Sequence, residues 1–176
     1  MTRPIIVIDD DLVLVAELIG YLSRHAPSMS ALGPPDLFLD LSDIREKSAN
    51  AAAVIVDLRI GGSATYGRSI MRKMCKTWEK FDTPVIVWSK YLCDTILFEP
   101  GRIVRIDLID DGGSVMQEID HARYAALPDA ARIDDLRRVC RGARAFVTKA
   151  VSDPVAVLFQ VLHRSGVIPR ELLTLH

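Results

Sequence analysis

The stretch "IIVIDDD", residues 5–11, places four branched apolar residues directly before three aspartates. A short, continuous apolar run of this kind predicts a β-strand that is buried on both faces. The three carboxylates repel one another, so they either form a solvated helix N-terminus, where acids are favoured, or hold a positive group. Beyond Asp11, which would cap the helix, the apolar residues follow helical spacing as far as Pro27, at Leu14, Val15, Leu18, Ile19 and Leu22.

Three further apolar stretches end in polar residues and predict buried strands. They are "AAAVIVDL" ending at Leu58, "TPVIVWS" at 83–89 and "ARAFVTK" at 143–149, with a weaker candidate, "MSAL", at 29–32. Helices are predicted from about Asp36 to Lys47, through Ile70, Met71, Met74, Cys75 and Trp78, and, after Asp153-Pro154, through Val155, Leu158, Phe159 and Leu162. Strands that alternate with helices predict an open, parallel α/β sheet.

Length and composition restrict the class of protein. The 176 residues suit one domain, and 49% hydrophobic residues can supply a core. A net charge of −1 disfavours a dedicated nucleic-acid-binding protein, and no apolar run reaches the ~20 residues of a membrane span. The three cysteines (Cys75, Cys93 and Cys140) lack metal-binding spacing and suit a reducing cytoplasm. Together with the charge and the short apolar runs, they predict a cytoplasmic protein that binds neither DNA nor a membrane directly.

One segment interrupts the alternation of strands and helices. About forty residues separate Ser89 from a helix predicted around Ile133–Cys140, whereas ordinary connections have a median of ~4–6 residues. Within them, "IVRIDL" at 103–108 predicts a half-exposed strand, "DDGG" a turn and "SVMQEIDHARYAAL" a helix. We therefore expect an ordered insertion over about residues 91–131 that contains a hairpin and a helix.

Polar residues stand at the carboxyl ends of the predicted strands, where ligands bind in open α/β sheets. They are Asp9 and Asp10, Asp57, Ser89 and Lys149. Clustered carboxylates favour a hard divalent cation such as Mg²⁺, and a lysine with a hydroxyl suits phosphate. Together these groups describe phosphoryl transfer, with a carboxylate as the nucleophile.

The sequence resembles the receiver domains of bacterial two-component response regulators. The resemblance is carried by "IIVIDDD", "AAVIVDLR", "TPVIVWS" and "GARAFVTKAV", in that order, and covers residues 1–90 and 132–165. It implies a doubly wound, flavodoxin-like sheet of five parallel strands in the order 2-1-3-4-5. It also implies a single receiver-like domain over residues 1–176, with the insertion at about 91–131 and no output domain.

The resemblance also implies how the chain signals. Asp57 would accept a phosphoryl group from a sensor histidine kinase or phosphotransfer protein. Asp10, Asp57 and the backbone carbonyl of Arg59 would ligate Mg²⁺, with Asp9 supporting the ion through water. The chain would be no conventional enzyme; at most it would catalyse Mg²⁺-dependent phosphorylation and dephosphorylation of Asp57, and it would act on a downstream protein target.

Three more residues have expected roles near the phosphate. The resemblance implies that the hydroxyl of Ser89 takes a phosphoryl oxygen, that Lys149 pairs with the phosphate, and that Phe146 is the aromatic switch residue. From the residues alone, each position has a structural alternative: Ser89 as a strand-ending hydroxyl and Lys149 as a solvated charge, both less favoured, and Phe146 as a core residue, which is equally favoured.

The sequence departs from the family at two positions. Lys90 stands where a small residue is usual, so it could contact the phosphate rim or obstruct the phosphodonor. Ala150 stands where a proline in a cis peptide is usual. Because a cis bond to alanine costs ~3–4 kcal/mol, we expect a trans bond here and a different aim for Lys149.

Two alternatives to the phosphorylated receiver remain. Lys90, Ala150 and the insertion motivate a pseudo-receiver that works without phosphorylation, as a protein-interaction or dimerisation module in which a lysine amine occupies the carboxylate site. Asp9 and Asp11 also meet the Asp-x-Asp spacing of a Mg²⁺-dependent phosphohydrolase. In either receiver the insertion is expected to dock a partner or a second copy of the chain.

Overall fold

The computed structural model describes residues 3–61, 66–90, 92, 95–99, 102–106, 138 and 142–173. The strands are β1 (Ile5–Ile8), β2 (Ala31–Leu32), β3 (Ala53–Val56), β4 (Val85–Ser89), β5 (Thr95–Glu99), β6 (Arg102–Ile106) and β7 (Ala143–Thr148). The helices are α1 (Leu12–His25), α2 (Leu41–Ser48), α3 (Tyr66–Lys80) and α4 (Pro154–Arg164), followed by a 3-10 turn at Arg170–Leu172.

Five strands form a parallel sheet in the order β2-β1-β3-β4-β7. This is the order 2-1-3-4-5 implied by the resemblance, because β7 is the fifth strand once the insertion is left aside. The predicted fold class is therefore confirmed. The carboxyl ends of β1, β3, β4 and β7 meet along one edge of the sheet, which brings together the residues that follow them.

The sheet continues beyond its fifth strand into the insertion. The strand β5 pairs antiparallel with β7, and β6 pairs antiparallel with β5, so the described sheet has seven strands. The predicted strand at 103–108 corresponds to β6, whereas β5 was not predicted. Its signal is in "TILFEPGRIVRI", residues 95–106, where a Pro-Gly pair separates two β-prone runs.

The two faces of the sheet carry separate hydrophobic cores, because side chains alternate along each strand. On one face, α1 and α4 cover a core that includes Ile55, Trp88 and Val147. On the other, α2 and α3 cover a core that includes Val56 and Phe146. The strands β1 and β3 are buried at every position, which explains why they appear in the sequence as unbroken apolar runs.

Aspartate caps set the starts of three helices. Asp11 accepts a hydrogen bond from the Leu14 amide at 3.1 Å and caps α1, as predicted, and Asp153 caps α4 in the same way. The predicted start of α2 near Asp36 is wrong, since the helix begins at Leu41. Asp40 determines that start by accepting from the amides of residues 42 and 43, at 2.8 and 3.0 Å.

Some predictions concern residues that the structure does not describe. The helix expected at residues 114–127 and the turn at 110–113 lie outside the described residues, and of the helix expected at 133–140 only Arg138, which is helical, is described. Among the described helices, none combines the length and the apolar character needed to cross a membrane.

Gly67 allows α3 to lie directly against the end of β3. A β-carbon at this position would overlap the backbone carbonyl oxygen of Asp57, which cannot move without displacing the strand. We expect Gly67→Ala to lower the free energy of unfolding by about 1–3 kcal/mol, as overpacking does. Urea denaturation of the purified variant measures this change.

Gly20→Ala in α1 is the matched control. The atom nearest to a β-carbon at position 20 belongs to the flexible Arg24 side chain and lies 3.5 Å away. The substitution therefore adds helix propensity without a clash. This control should stabilise the protein by up to about 1 kcal/mol. Equal effects of the two substitutions would contradict the close approach at Gly67.

Candidate functional site

Three carboxylates meet at the carboxyl edge of the sheet. Asp9 and Asp10 follow β1 and Asp57 follows β3, and one oxygen from each lies within 4.8 Å of the others. Asp9 is fully buried and Asp57 is 7% exposed, whereas Asp10 is exposed. The cluster therefore has a closed inner side and an opening to solvent at Asp10.

Lys149 fills the inner side of the cluster. Its ammonium group donates to Asp9 Oδ2 at 2.6 Å and to Asp57 Oδ2 at 2.8 Å, and its side chain is 2% exposed. Buried charges are tolerated in proteins when they are paired and hydrogen-bonded, and this amine meets both conditions. The interpretation of Lys149 as a solvated charge is wrong.

Burial and pairing act in opposite directions on the ionisable groups of this cluster. Burial raises the pKa of Asp9, a rise that the nearby Lys149 opposes and the charge of Asp57 reinforces. For Lys149, burial lowers the pKa, but the attraction of Asp57 and Asp9 outweighs it, so the pKa stands above its ordinary value. The lysine is held in its charged form by the two carboxylates.

Backbone amides orient the other carboxylate oxygens. Asp9 Oδ1 accepts from the amide of residue 11 at 3.1 Å, and Asp57 Oδ1 accepts from the amide of Arg59 at 3.2 Å. Asp10 Oδ2 accepts from the amide of Gly61 at 2.7 Å. Each carboxylate is thus fixed by a backbone amide on one oxygen, and this preorganises the cluster.

Trp88 lies beside the Lys149 ammonium, which is 5.0 Å from the centre of the indole ring. That distance is within the range of cation–π attraction. The ring is fully buried in the core under α1 and α4, and its Nε1 has no hydrogen-bond partner among the described residues. The sequence does not predict this contact, since a tryptophan in an apolar strand has no distinctive spacing.

The remaining predicted residues lie around the cluster. Ser89 is fully buried at the end of β4, the strand between β3 and β7. Phe146 is fully buried in the core under α2 and α3, and its backbone is in register with Ile96 of β5. Lys90 is 64% exposed and its amine lies 3.9 Å from Asp11 Oδ2, so it pairs with the helix cap.

The loop at Ala150 agrees with one expectation and contradicts another. Of the described peptide bonds, the cis bond is Pro34–Pro35, so Lys149–Ala150 is trans, as expected. The expected change in the aim of Lys149 is wrong, because the amine still contacts Asp57. The hydroxyl of Thr148, a residue that the sequence did not single out, makes two further hydrogen bonds in this loop.

The residues present fit a magnesium ion. Octahedral Mg²⁺ with ligands at ~2.0–2.1 Å places the oxygens about 3–4 Å apart, so the carboxylates need only small rotations. Three carboxylates and Lys149 sum to a charge of −2, which a divalent cation would neutralise. Asp9, Asp10 and Asp57 supply the carboxylates. The resemblance implies that Asp10, Asp57 and the Arg59 carbonyl would be direct ligands, with Asp9 in support.

We expect Lys149→Met to lower the free energy of unfolding by about 3–5 kcal/mol at pH 8, because it leaves buried carboxylates without a cation. The pKa of Asp9 should then rise further. A carboxyl group with a raised pKa in the folded state binds protons more tightly there, so the stability of the variant should increase as the pH falls. Urea denaturation at pH 8 and pH 5.5 measures both effects.

Lys90→Met is the matched control. It removes an exposed lysine whose pairing is worth about 0–1 kcal/mol, and its effect should not depend on this pH change. A loss for Lys149→Met that is the same at both pH values would show that lost packing, not lost charge, causes it.

The known proteins that resemble this chain do so in their folds rather than in their overall sequences. No protein-family model matches the sequence, and no curated protein matches it. NtrX from Brucella abortus, solved in complex with ATP, is 15% identical with a TM-score of 0.50, over 94% of this chain and 28% of NtrX. The signal receiver domain of the DNA binding response regulator protein merR from Colwellia psychrerythraea 34H is 17% identical with a TM-score of 0.49, over 92% of this chain and 98% of that one.

A response regulator receiver protein from Pseudoalteromonas atlantica is 14% identical with a TM-score of 0.48, over 92% of this chain and 98% of that one. At such identities the likeness concerns the fold alone. The strand order is independent of these identities and agrees with the resemblance seen in the sequence. With five parallel strands in the order β2-β1-β3-β4-β7, the chain has the doubly wound, flavodoxin-like fold that the resemblance to receiver domains implies.

Proposed function

We propose that this chain is a response regulator in which Asp57 accepts a phosphoryl group from a sensor histidine kinase or phosphotransfer protein in the presence of Mg²⁺. The observation that carries the proposal is the buried Lys149 ammonium between Asp9 and Asp57, beside an exposed Asp10. This arrangement joins a nucleophilic carboxylate, a fixed cation and an entrance for an ion and a phosphodonor.

The reaction is an in-line displacement at phosphorus. An Asp57 oxygen forms the new P–O bond, while the bond from phosphorus to the donor nitrogen breaks and the donor keeps the electron pair. Bound Mg²⁺ would neutralise charge on the transferring group. Lys149 already contacts Asp57 Oδ2 at 2.8 Å, so it is placed to pair with a phosphoryl oxygen attached there.

The neighbouring residues complete the proposed site. The Ser89 hydroxyl would bond a second phosphoryl oxygen, and Phe146 would change its packing when Ser89 does so. Lys90, which is exposed at the rim, would meet the incoming phosphodonor or the phosphate. Asp11 is engaged as the cap of α1, so the Asp9–Asp11 spacing lends no support to the phosphohydrolase alternative.

The surface next to the aspartates suits a protein donor. Leu12 and Val13 are 55% and 70% exposed at the start of α1. They border an open groove of about 670 Å³ between α1 and the start of α4, which also includes Glu17 and Arg24. An apolar surface with charges at its margin, beside the phosphorylation site, supports docking of a kinase or phosphotransfer helix here.

The β5–β6 hairpin supports a role in partner binding. It pairs with β7, which would otherwise be the edge strand of the five-stranded sheet. Where β5 covers it, β7 cannot pair with another chain, and β6 of the insertion becomes the edge strand of the described sheet. We propose that the insertion docks a second copy of the chain or a downstream protein.

Incubation with acetyl phosphate and Mg²⁺ should add one phosphoryl group to the wild-type protein and none to Asp57→Asn. The amide cannot act as the nucleophile, and the Lys149 contact to Oδ2 would be weakened. Intact-mass spectrometry measures the adduct, and beryllofluoride binding should be lost in the same variant.

Asp36→Asn is the matched control, since it changes an exposed aspartate outside the cluster and should be labelled like the wild type. Beryllofluoride binding by Asp57→Asn as tight as that of the wild type would show that the site is assigned wrongly. A folded wild-type protein without any adduct would favour the pseudo-receiver. In that alternative Lys149, which already pairs with both buried carboxylates, takes the place of the ion.

Deletion of about residues 95–128 should change the oligomeric state or abolish partner binding, because it removes the hairpin from β7. Light scattering coupled to size-exclusion chromatography, over a range of protein concentrations, measures the first effect. Circular dichroism must show that the parallel sheet persists. An unchanged oligomeric state together with unchanged partner binding would refute a docking role for the insertion.

A further inference from the structure

We infer that Thr148 is the positioning residue that holds Lys149 on Asp57, through a buried hydroxyl bridge between the Lys149 loop and the segment that follows Ser89. The inference rests on the proposed function in so far as Lys149 serves phosphoryl transfer. The position of the Lys149 amine can be measured in the unphosphorylated protein, independently of that function.

The Thr148 hydroxyl both donates and accepts a hydrogen bond. It donates to the backbone carbonyl of Leu92 at 2.6 Å and accepts from the backbone amide of Ala150 at 3.0 Å. Thr148 is 4% exposed and Leu92 is 3% exposed, so water does not readily substitute for the bond between them. A hydroxyl can donate and accept at once, which no apolar side chain of similar size can do.

The alanine at position 150 allows the second of these two bonds. An alanine has a backbone N–H, whereas a proline has none, so the Ala150 bond to Thr148 is unavailable to a chain with proline there. The residue between them is also fixed, since the Lys149 amide donates to the Ser89 carbonyl at 3.0 Å. Three consecutive residues, 148–150, are thereby hydrogen-bonded to defined partners.

Because the backbone is fixed on both sides of Lys149, the position and direction of its Cα–Cβ bond are fixed as well. A lysine has many rotamers, and it reaches two carboxylates at 2.6 and 2.8 Å only from a defined backbone position. The bridge accounts for the aim of Lys149 across a trans peptide bond. It also links the loop of Lys149 to the segment of Ser89 and Lys90, so these two parts of the site keep a constant relation.

Thr148→Val tests the bridge, because valine keeps the shape of threonine and removes the hydroxyl. We expect the rate constant for labelling by acetyl phosphate to fall about ten- to a hundredfold, as a displaced catalytic group would cause, with little change in the acetyl phosphate concentration at half-saturation. Thr148→Ser keeps the hydroxyl and should restore the rate to within about threefold of the wild type.

Thr83→Val is the matched control. Thr83 is also buried, at 6% exposure, and its hydroxyl has no hydrogen-bond partner among the described residues. It lies before β4, at the opposite end of the sheet from the site. The same substitution there should leave the labelling rate unchanged.

The position of Lys149 is measured separately by NMR of its side-chain ¹⁵Nζ group, without Mg²⁺ or phosphate. The signal is assigned by its loss in Lys149→Met. Thr148→Val should shift or broaden it, while Thr148→Ser and Thr83→Val should preserve it. If the wild type is never labelled but its Lys149 signal responds to Thr148→Val, the proposed function fails and the positioning role stands.

An unchanged signal and an unchanged labelling rate in Thr148→Val would overturn the inference. Thr148→Ala removes the hydroxyl without adding a methyl group in its place, and it replaces the valine variant if that variant does not fold. If both variants unfold while Thr148→Ser is normal, Thr148 supports the fold as a whole and the specific positioning role is refuted.

Discussion

The Lys149 ammonium group between Asp9 and Asp57 is the interaction on which the site depends. Its partners follow β1 and β3 and the lysine follows β7, so one buried cation joins the ends of three strands. Two carboxylates this close and this buried would repel each other without it, and burial raises the pKa of Asp9 even in its presence. The fold therefore tolerates the acidic cluster because a lysine arrives from a distant part of the sequence.

The same pairing explains how the cluster can exchange partners. The carboxylate oxygens that face Lys149 are distinct from those fixed by the amides of residues 11 and 59, so a rearrangement of the lysine leaves the carboxylates oriented. Asp10 is exposed and is held by the Gly61 amide, which gives a cation access from solvent. Under the proposed function, an anion drawn to Lys149 and a cation drawn to the aspartates would therefore enter one preorganised site.

Much of the fold and part of the site could be predicted from local sequence patterns. Continuous apolar runs located the parallel strands, and polar residues after those runs located Asp9, Asp57 and Lys149. The start of α2 was misplaced because a single cap, Asp40, decides it. The bridge through Thr148 could not be predicted, since Leu92 is 56 residues away and both Leu92 and Ala150 take part through backbone atoms, which no side-chain pattern reveals.

The insertion is paired with the strand that carries two residues of the site. Phe146 and Lys149 lie on or directly after β7, and β7 is paired on one side with β4 and on the other with β5. Because Ile96 is in register with Phe146, a displacement of β7 must displace the hairpin or break its pairing. Coupling between two sites requires an element whose equilibrium both sites bias. Under the proposed function, β7 would be that element, and a change in β7 would be transmitted to the hairpin paired with it.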